Sequence, residues 1–225
     1  MHKKYWILLF SVILFGDLIG IQLKNELLQF IFKPLIIPAV IGYFNSQVKE
    51  ITKGTAKWVL LSLLFSLLGD VLLIFQDDNP VFFLLGLSAF LAAHIFYIIF
   101  FHKVRVEAKV KSNPWLSVPV VIYYAALINL LSSHLADMKI PVLIYGVVIS
   151  FMFMLAMHML FIKNKAAGKC MMMGAFLFVM SDSILAINKF YQSFEAAGIL
   201  IMLTYGLAQF FIVQGAGKYI SEQNG

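Results

Sequence analysis

The chain has 225 residues, 62% of them hydrophobic and only 12% charged, with a mean hydropathy of +0.92. A soluble domain carries about 25% charge, so a water-soluble globular fold is excluded and a polytopic membrane protein is left. The net charge of +6 would fit a nucleic-acid partner if the basic residues formed a stripe, but they fall in short loops between apolar runs and so report membrane topology; the lipid bilayer is the expected partner and nucleic acid is not.

A bilayer core of about 30 Å needs roughly 17–25 apolar residues per helix, and eight runs qualify, near residues 5–23, 30–44, 57–76, 81–101, 115–132, 140–162, 170–188 and 195–214. The first follows Lys3 and Lys4 but lacks a small-x-small cleavage site, so it is read as a retained helix. The second is short, opens at Lys33-Pro34 and holds Pro38 as well. The third ends at a tight acidic turn, Asp77-Asp78-Asn79-Pro80, with Pro80 placed to open the fourth helix. Thirteen of the 17 basic residues fall on alternate connections, leaving Lys24, Lys33, Lys139 and Lys189 for the other side. These features predict an all-α bundle of about eight transmembrane helices with both termini cytoplasmic. The longest connection runs only from about His102 to Pro114, so residues 1–225 are expected to form a single transmembrane domain. Cys170 is the one cysteine, so it cannot form an internal disulfide.

Within these runs the polar residues are the informative ones. Asp70 and Asp182 each follow a small residue, in Leu68-Gly69-Asp70 and Met180-Ser181-Asp182. An ionisable group at helix centre costs roughly 2.5–3.5 kcal/mol on insertion scales, so each is a candidate functional group. Both lie about 9–11 Å from the expected outer ends of their helices, where they could share one layer and one site. Ser62, Ser66 and Asp70 recur every four residues and give the third helix a polar face. His94 and Tyr97 share a face of the fourth helix, and Tyr205 and Gln209 a face of the eighth. Lys33 is either an interfacial anchor, an ammonium partner for a phosphate headgroup, or a partner for a carboxylate. Asp17 is a third candidate carboxylate, and Tyr145, His158 and Asn129 are polar members of other spans with weaker claims. A faint four-plus-four repeat relates the third and seventh helices: Asp70 precedes His94 by 24 residues, and Asp182 precedes Tyr205 by 23.

Several chemistries have no local signature. There is no H-x-x-x-H, H-E-x-x-H or cysteine pair for a metal, no G-x-S-x-G elbow and no glycine-rich nucleotide loop; no metal or cofactor is expected. The methionines, such as Met171-Met172-Met173, read as packing or lipid-facing residues.

The ordered set Lys33-Pro34-Leu35 with Pro38, Phe65-Ser66-Leu67-Leu68-Gly69-Asp70, Gly86-Leu87-Ser88-Ala89-Phe90 leading to His94 and Tyr97, Gly174-Ala175-Phe176-Leu177-Phe178 leading to Ser181-Asp182-Ser183, and Tyr205 with Ala208-Gln209 resembles the YhhN family of lysoplasmalogenase-like membrane proteins. The resemblance runs from about residue 33 to 210 and implies an eight-span membrane hydrolase. Its substrate would be a lysophospholipid, a lysoplasmalogen whose vinyl ether bond is cleaved to a fatty aldehyde and a glycerophospho-alcohol. It implies catalytic roles for Asp70, Asp182 and His94, and substrate-binding roles for Lys33, Tyr97, Tyr205, Gln209, Ser66 and Ser181. A vinyl ether hydrolyses through protonation at its β-carbon and trapping of the oxocarbenium ion by water. Paired carboxylates suit this as they suit glycoside hydrolysis, where apolar surroundings keep one carboxyl protonated while another stays ionised. A proton- or ion-coupled transporter is the alternative, since buried carboxylates serve both, and a bundle in which every polar residue is a helix contact is a third. Headgroup, chain length and oligomeric state stay open. The membrane would be the bacterial cytoplasmic one, or the endoplasmic reticulum in a eukaryote.

Overall fold

The computed structural model describes residues 3–223, and within them every regular element is helical. Eight helical segments are long and apolar enough to cross a membrane, and their α-helical parts are α1 (Lys3–Gln22), α2 (Glu26–Asn45), α3 (Ala56–Ile74), α4 (Pro80–Glu107), α5 (Ser117–Leu131), α6 (Lys139–Met157), α7 (Lys165–Ala186) and α8 (Ala197–Gln223); α5 reaches spanning length only with the turn ahead of it, as Pro114–Leu131. The chain is therefore a multi-pass integral membrane protein. Asparagine opens several of the helices: the side chains of Asn25, Asn79 and Asn164 accept from the amides of Leu28, Val81 and Ala167 at 3.1, 2.9 and 2.9 Å, satisfying first-turn donors that a helix leaves free. Pro80 opens α4 as expected.

Several boundaries differ from the sequence expectation. α2 is a full 20-residue helix that begins at Glu26 and carries Pro34 and Pro38 inside it. The segment 26–29, with a glutamate and a glutamine at its ends, belongs to the helix because Asn25 caps it, so Lys33 lies about two turns inside α2 rather than at its start. α4 and α8 run on to Glu107 and Gln223, past the ends of their apolar runs, because basic and polar residues extend a helix beyond the hydrocarbon as readily as they end it.

The helices pack as two similar sets of four. α1 packs on α2, α2 on α3 and α3 on α4; likewise α5 packs on α6, α6 on α7 and α7 on α8. The sets meet where α4 packs on α6 and α8 on α2. Small residues allow the closest approach: a Cβ at Gly174 would stand 2.6 Å from the Ile212 nitrogen, which is why α7 and α8 form a tight pair. The sets differ in the helix that opens each. α1 also packs against α8, whereas α5 packs chiefly on α6 and stays peripheral, with only Val120 and Leu131 buried.

Candidate active site

Asp182 on α7 is held by α4 and α6. Its Oδ2 accepts from the Tyr145 hydroxyl at 2.6 Å and lies 3.1 Å from Nε2 of His94, which is itself 2.9 Å from the Tyr145 oxygen. The three groups thus close a triangle, with one histidine N–H shared between phenol and carboxylate. His94 is fully buried, and its Nδ1 has no partner among the described residues. The ring of Phe178 stands 4.6 Å from the histidine ring and fixes its orientation. Unlike His94, the Asp182 side chain keeps 15% of its surface exposed. Two apolar clefts meet there. One, between α5, α6 and α7, is lined by Tyr123, Leu127, Leu131, Val142 and Ile149; the other, between α4, α6 and α7, by Phe83, Leu87, Leu185 and Phe190. Each encloses about 40 Å³, more than the roughly 10–15 Å³ a water molecule needs. A hydrogen bond between the Tyr123 hydroxyl and Ser183 Oγ crosses the first.

Asp70 on α3 has different partners. Its Oδ2 accepts from the Tyr205 hydroxyl of α8 at 2.7 Å, and the residue is 2% exposed. Gln209, one turn beyond Tyr205, accepts from Tyr97 at 2.5 Å and donates to Ser66 at 2.9 Å, so the polar faces of α3, α4 and α8 satisfy one another. Ser62 donates to the Ala93 carbonyl at 2.6 Å. Lys33 acts electrostatically on both Asp70 and Asp17. Asp17, fully buried on α1, has no hydrogen-bond partner for either oxygen among the described residues. Lys33 also lines a cavity of about 680 Å³ between the α1–α2 turn and the end of α3, with Lys24, Glu26, Asp77 and Asp78 on its walls.

Asp70 and Asp182 each lie four residues before the last residue of their helix, at one end of the bundle, but they share no hydrogen-bond partner. Aromatic rings separate them: Phe178 lies 5.5 Å from Tyr205 on one side and touches His94 on the other. Phe90, 5.7 Å from Tyr205, fits against α3 because Gly69 has no side chain in its way. Ser181 stands apart and donates to the Ile201 carbonyl at 3.0 Å, tying α7 to α8. His158 is a structural pin at the opposite end, where its Nε2 accepts from the Asn113 amide at 3.1 Å. Asn129 is exposed. Tyr145, weak as a sequence candidate, proves central; as one more tyrosine in an apolar span it is marked only by its meeting with Asp182. Tyr123 and Ser183 line the cleft as well; Tyr123 has no sequence signal beyond being polar, and Ser183 only its place beside Asp182 in the resembling block.

The chain matches the YhhN family over residues 28–216. It is 32% identical to human lysoplasmalogenase TMEM86B over 156 residues, covering 69% of this chain and 61% of the relative. It is 30% identical to human lysoplasmalogenase TMEM86A over 169 residues, with 72% and 66% covered, and 29% identical to mouse lysoplasmalogenase TMEM86B over 165, with 72% and 65% covered. The chain thus spans less than two thirds of the length of these relatives. No solved structure matches it. A match over most of the sequence, on a bundle of eight membrane helices, shows that the chain belongs to the YhhN family.

Proposed function

We propose that this chain is a lysoplasmalogenase, a membrane hydrolase that cleaves the vinyl ether bond of a lysoplasmalogen at Asp182. The observation that carries this reading is a carboxyl group with one oxygen held by two donors and its side chain partly open where two apolar clefts meet. Asp182 enters protonated on Oδ1 and gives that proton to the β-carbon of the vinyl ether. The carboxylate so formed is stabilised on Oδ2 by Tyr145 and His94, donors already in place where charge develops. It faces the oxocarbenium ion as counter-charge, then takes a proton from the water that adds to the α-carbon. The hemiacetal collapses to a fatty aldehyde and the glycerophospho-alcohol, consuming one water and returning the enzyme to its starting state. The similarity to human lysoplasmalogenases supports this substrate class.

Asp70 we assign to support rather than proton transfer, with Tyr205 holding the aromatic wall between the centres and Gln209, Tyr97, Ser66 and Ser181 fixing the helices that carry it. Lys33 balances the charge of Asp17 and Asp70. The alternation of basic loops supports cytoplasmic termini, in the inner membrane of a bacterium or the endoplasmic reticulum of a eukaryote; cysteines at Asn79 and Ser193 should then label only from outside, and those at Ser46, Ser112 and Asn164 only from the cytoplasm. The reaction is tested by mass spectrometry of a lysolipid panel incubated with purified protein in H₂¹⁸O. Aldehyde release without any ion gradient, with no ¹⁸O in the glycerol product, is expected. Label in the glycerol hydroxyl would mean attack on the wrong carbon, and substrate consumed only with a gradient would favour coupled transport.

A further inference from the structure

Resting on that reading, we propose that Lys189 is the residue that binds the phosphate of the lysolipid. α7 does not stop at Ala186: a π-helical turn, Ile187–Tyr191, carries it one turn further, and such turns re-aim side chains at functional sites. Lys189 lies on this turn, seven residues after Asp182, or about 10 Å along the helix. It is exposed, yet its ammonium is not left to solvent alone: Nζ stands 4.9 Å from the centre of the Phe83 ring. Phe83 and Phe190, whose rings meet edge to face at 6.0 Å, form the wall of the cleft whose other lining residues include Tyr145 and Asp182. The cation is therefore held at the brim of a slot with the reacting carboxyl in its lining.

A lysoplasmalogen has matching geometry. Three glycerol carbons separate the vinyl ether oxygen from the phosphate oxygen, so a substrate with its ether at Asp182 and its chain in the apolar clefts must carry its phosphate towards the end of α7. Lys189 forms no ion pair with any carboxylate among the described residues, which leaves its charge free for an anion. Lys33 differs on each count. It stands in the field of two buried carboxylates, Asp17 and Asp70, and its cavity has no lining residue in common with either cleft at Asp182.

The test compares two substrates with the same alkenyl chain, a lysoplasmalogen and the corresponding alkenylglycerol that lacks the phosphate. Lys189→Gln should raise KM for the phosphate-bearing substrate about tenfold, the scale of one charge-assisted hydrogen bond, with kcat little changed and the alkenylglycerol hydrolysed as before. Lys189→Arg should restore binding. Lys139→Gln, another exposed lysine at the same end, should change neither substrate. If Lys189→Gln leaves both substrates unaffected, or slows both equally, the assignment fails. If Lys33→Gln alone gives the phosphate-selective loss, the headgroup occupies the cavity at Lys33 and the assignment is overturned. Wild-type protein that cleaves neither substrate would instead refute the hydrolase reading itself.

Discussion

Asp70 and Asp182 occupy matching positions in the two sets of four helices, four residues from the ends of α3 and α7, yet one centre is closed and the other open. Each aspartate takes a partner from the other set: Asp70 on α3 bonds Tyr205 on α8, and Asp182 on α7 meets His94 on α4. The residues that the repeat spacing pairs along the sequence are thus exchanged between the halves in space. What differs is the outer helix. α1 packs across α8 and brings Asp17 into the interior beside Asp70, whereas its counterpart α5 stays peripheral and leaves a cleft that reaches Asp182. A carboxyl group acts on a substrate only if the substrate can reach it, which is why the reaction is proposed at the open centre and support at the closed one.

The two carboxyls carry the largest expected effects. Asp182→Asn should lower turnover of a lysoplasmalogen by about 10²–10⁴, the range of a lost general acid, while Asp70→Asn, which keeps an acceptor for Tyr205, should lower it about tenfold. Because the two share no hydrogen-bond partner, the free-energy effects should add in the double variant to within about 0.5 kcal/mol; strong non-additivity would mean a single site and would erase the distinction drawn here. Next in size come Tyr145→Phe and His94→Leu, each removing a donor from the developing carboxylate. Each should cost one to two orders of magnitude in kcat, and the pair less than the sum, because they act as a unit on one oxygen. Equal loss through KM alone would make them binding residues instead. The smallest effect should come from the closed side: Ser62→Ala removes the bond to the Ala93 carbonyl, lowering stability by about 0.6 kcal/mol, typical of interhelical bonds in membranes, with turnover unchanged. Thermal unfolding in detergent alongside a rate assay measures both.

Much of this architecture is legible before any coordinates. Hydropathy finds every span, because lipid leaves only helices that satisfy their own backbone, and the cost of a buried charge singles out Asp70 and Asp182. Periodicity likewise puts His94 with Tyr97 and Tyr205 with Gln209 on shared faces. What sequence spacing does not carry is which faces meet. Matched depth in α3 and α7 reads as one shared site, and only the packing of Phe90 and Phe178 between them shows two centres. The role of Tyr145 is hidden for the same reason, since its partner is 37 residues away on another helix. Lys33-Pro34 reads as the start of a helix because prolines often mark one; the cap at Asn25 moves that start back to Glu26 and carries the lysine inside.

The central claim, that the open centre performs the proton transfer, is tested most directly by single-turnover release of aldehyde from a lysoplasmalogen by purified wild type, Asp182→Asn and Asp70→Asn, each shown to be folded. Wild type and Asp70→Asn should both release aldehyde, the latter about tenfold more slowly, and Asp182→Asn should be slower than wild type by about 10²–10⁴. Turnover by Asp182→Asn with none by Asp70→Asn would contradict the account and move the chemistry to the closed side of the bundle.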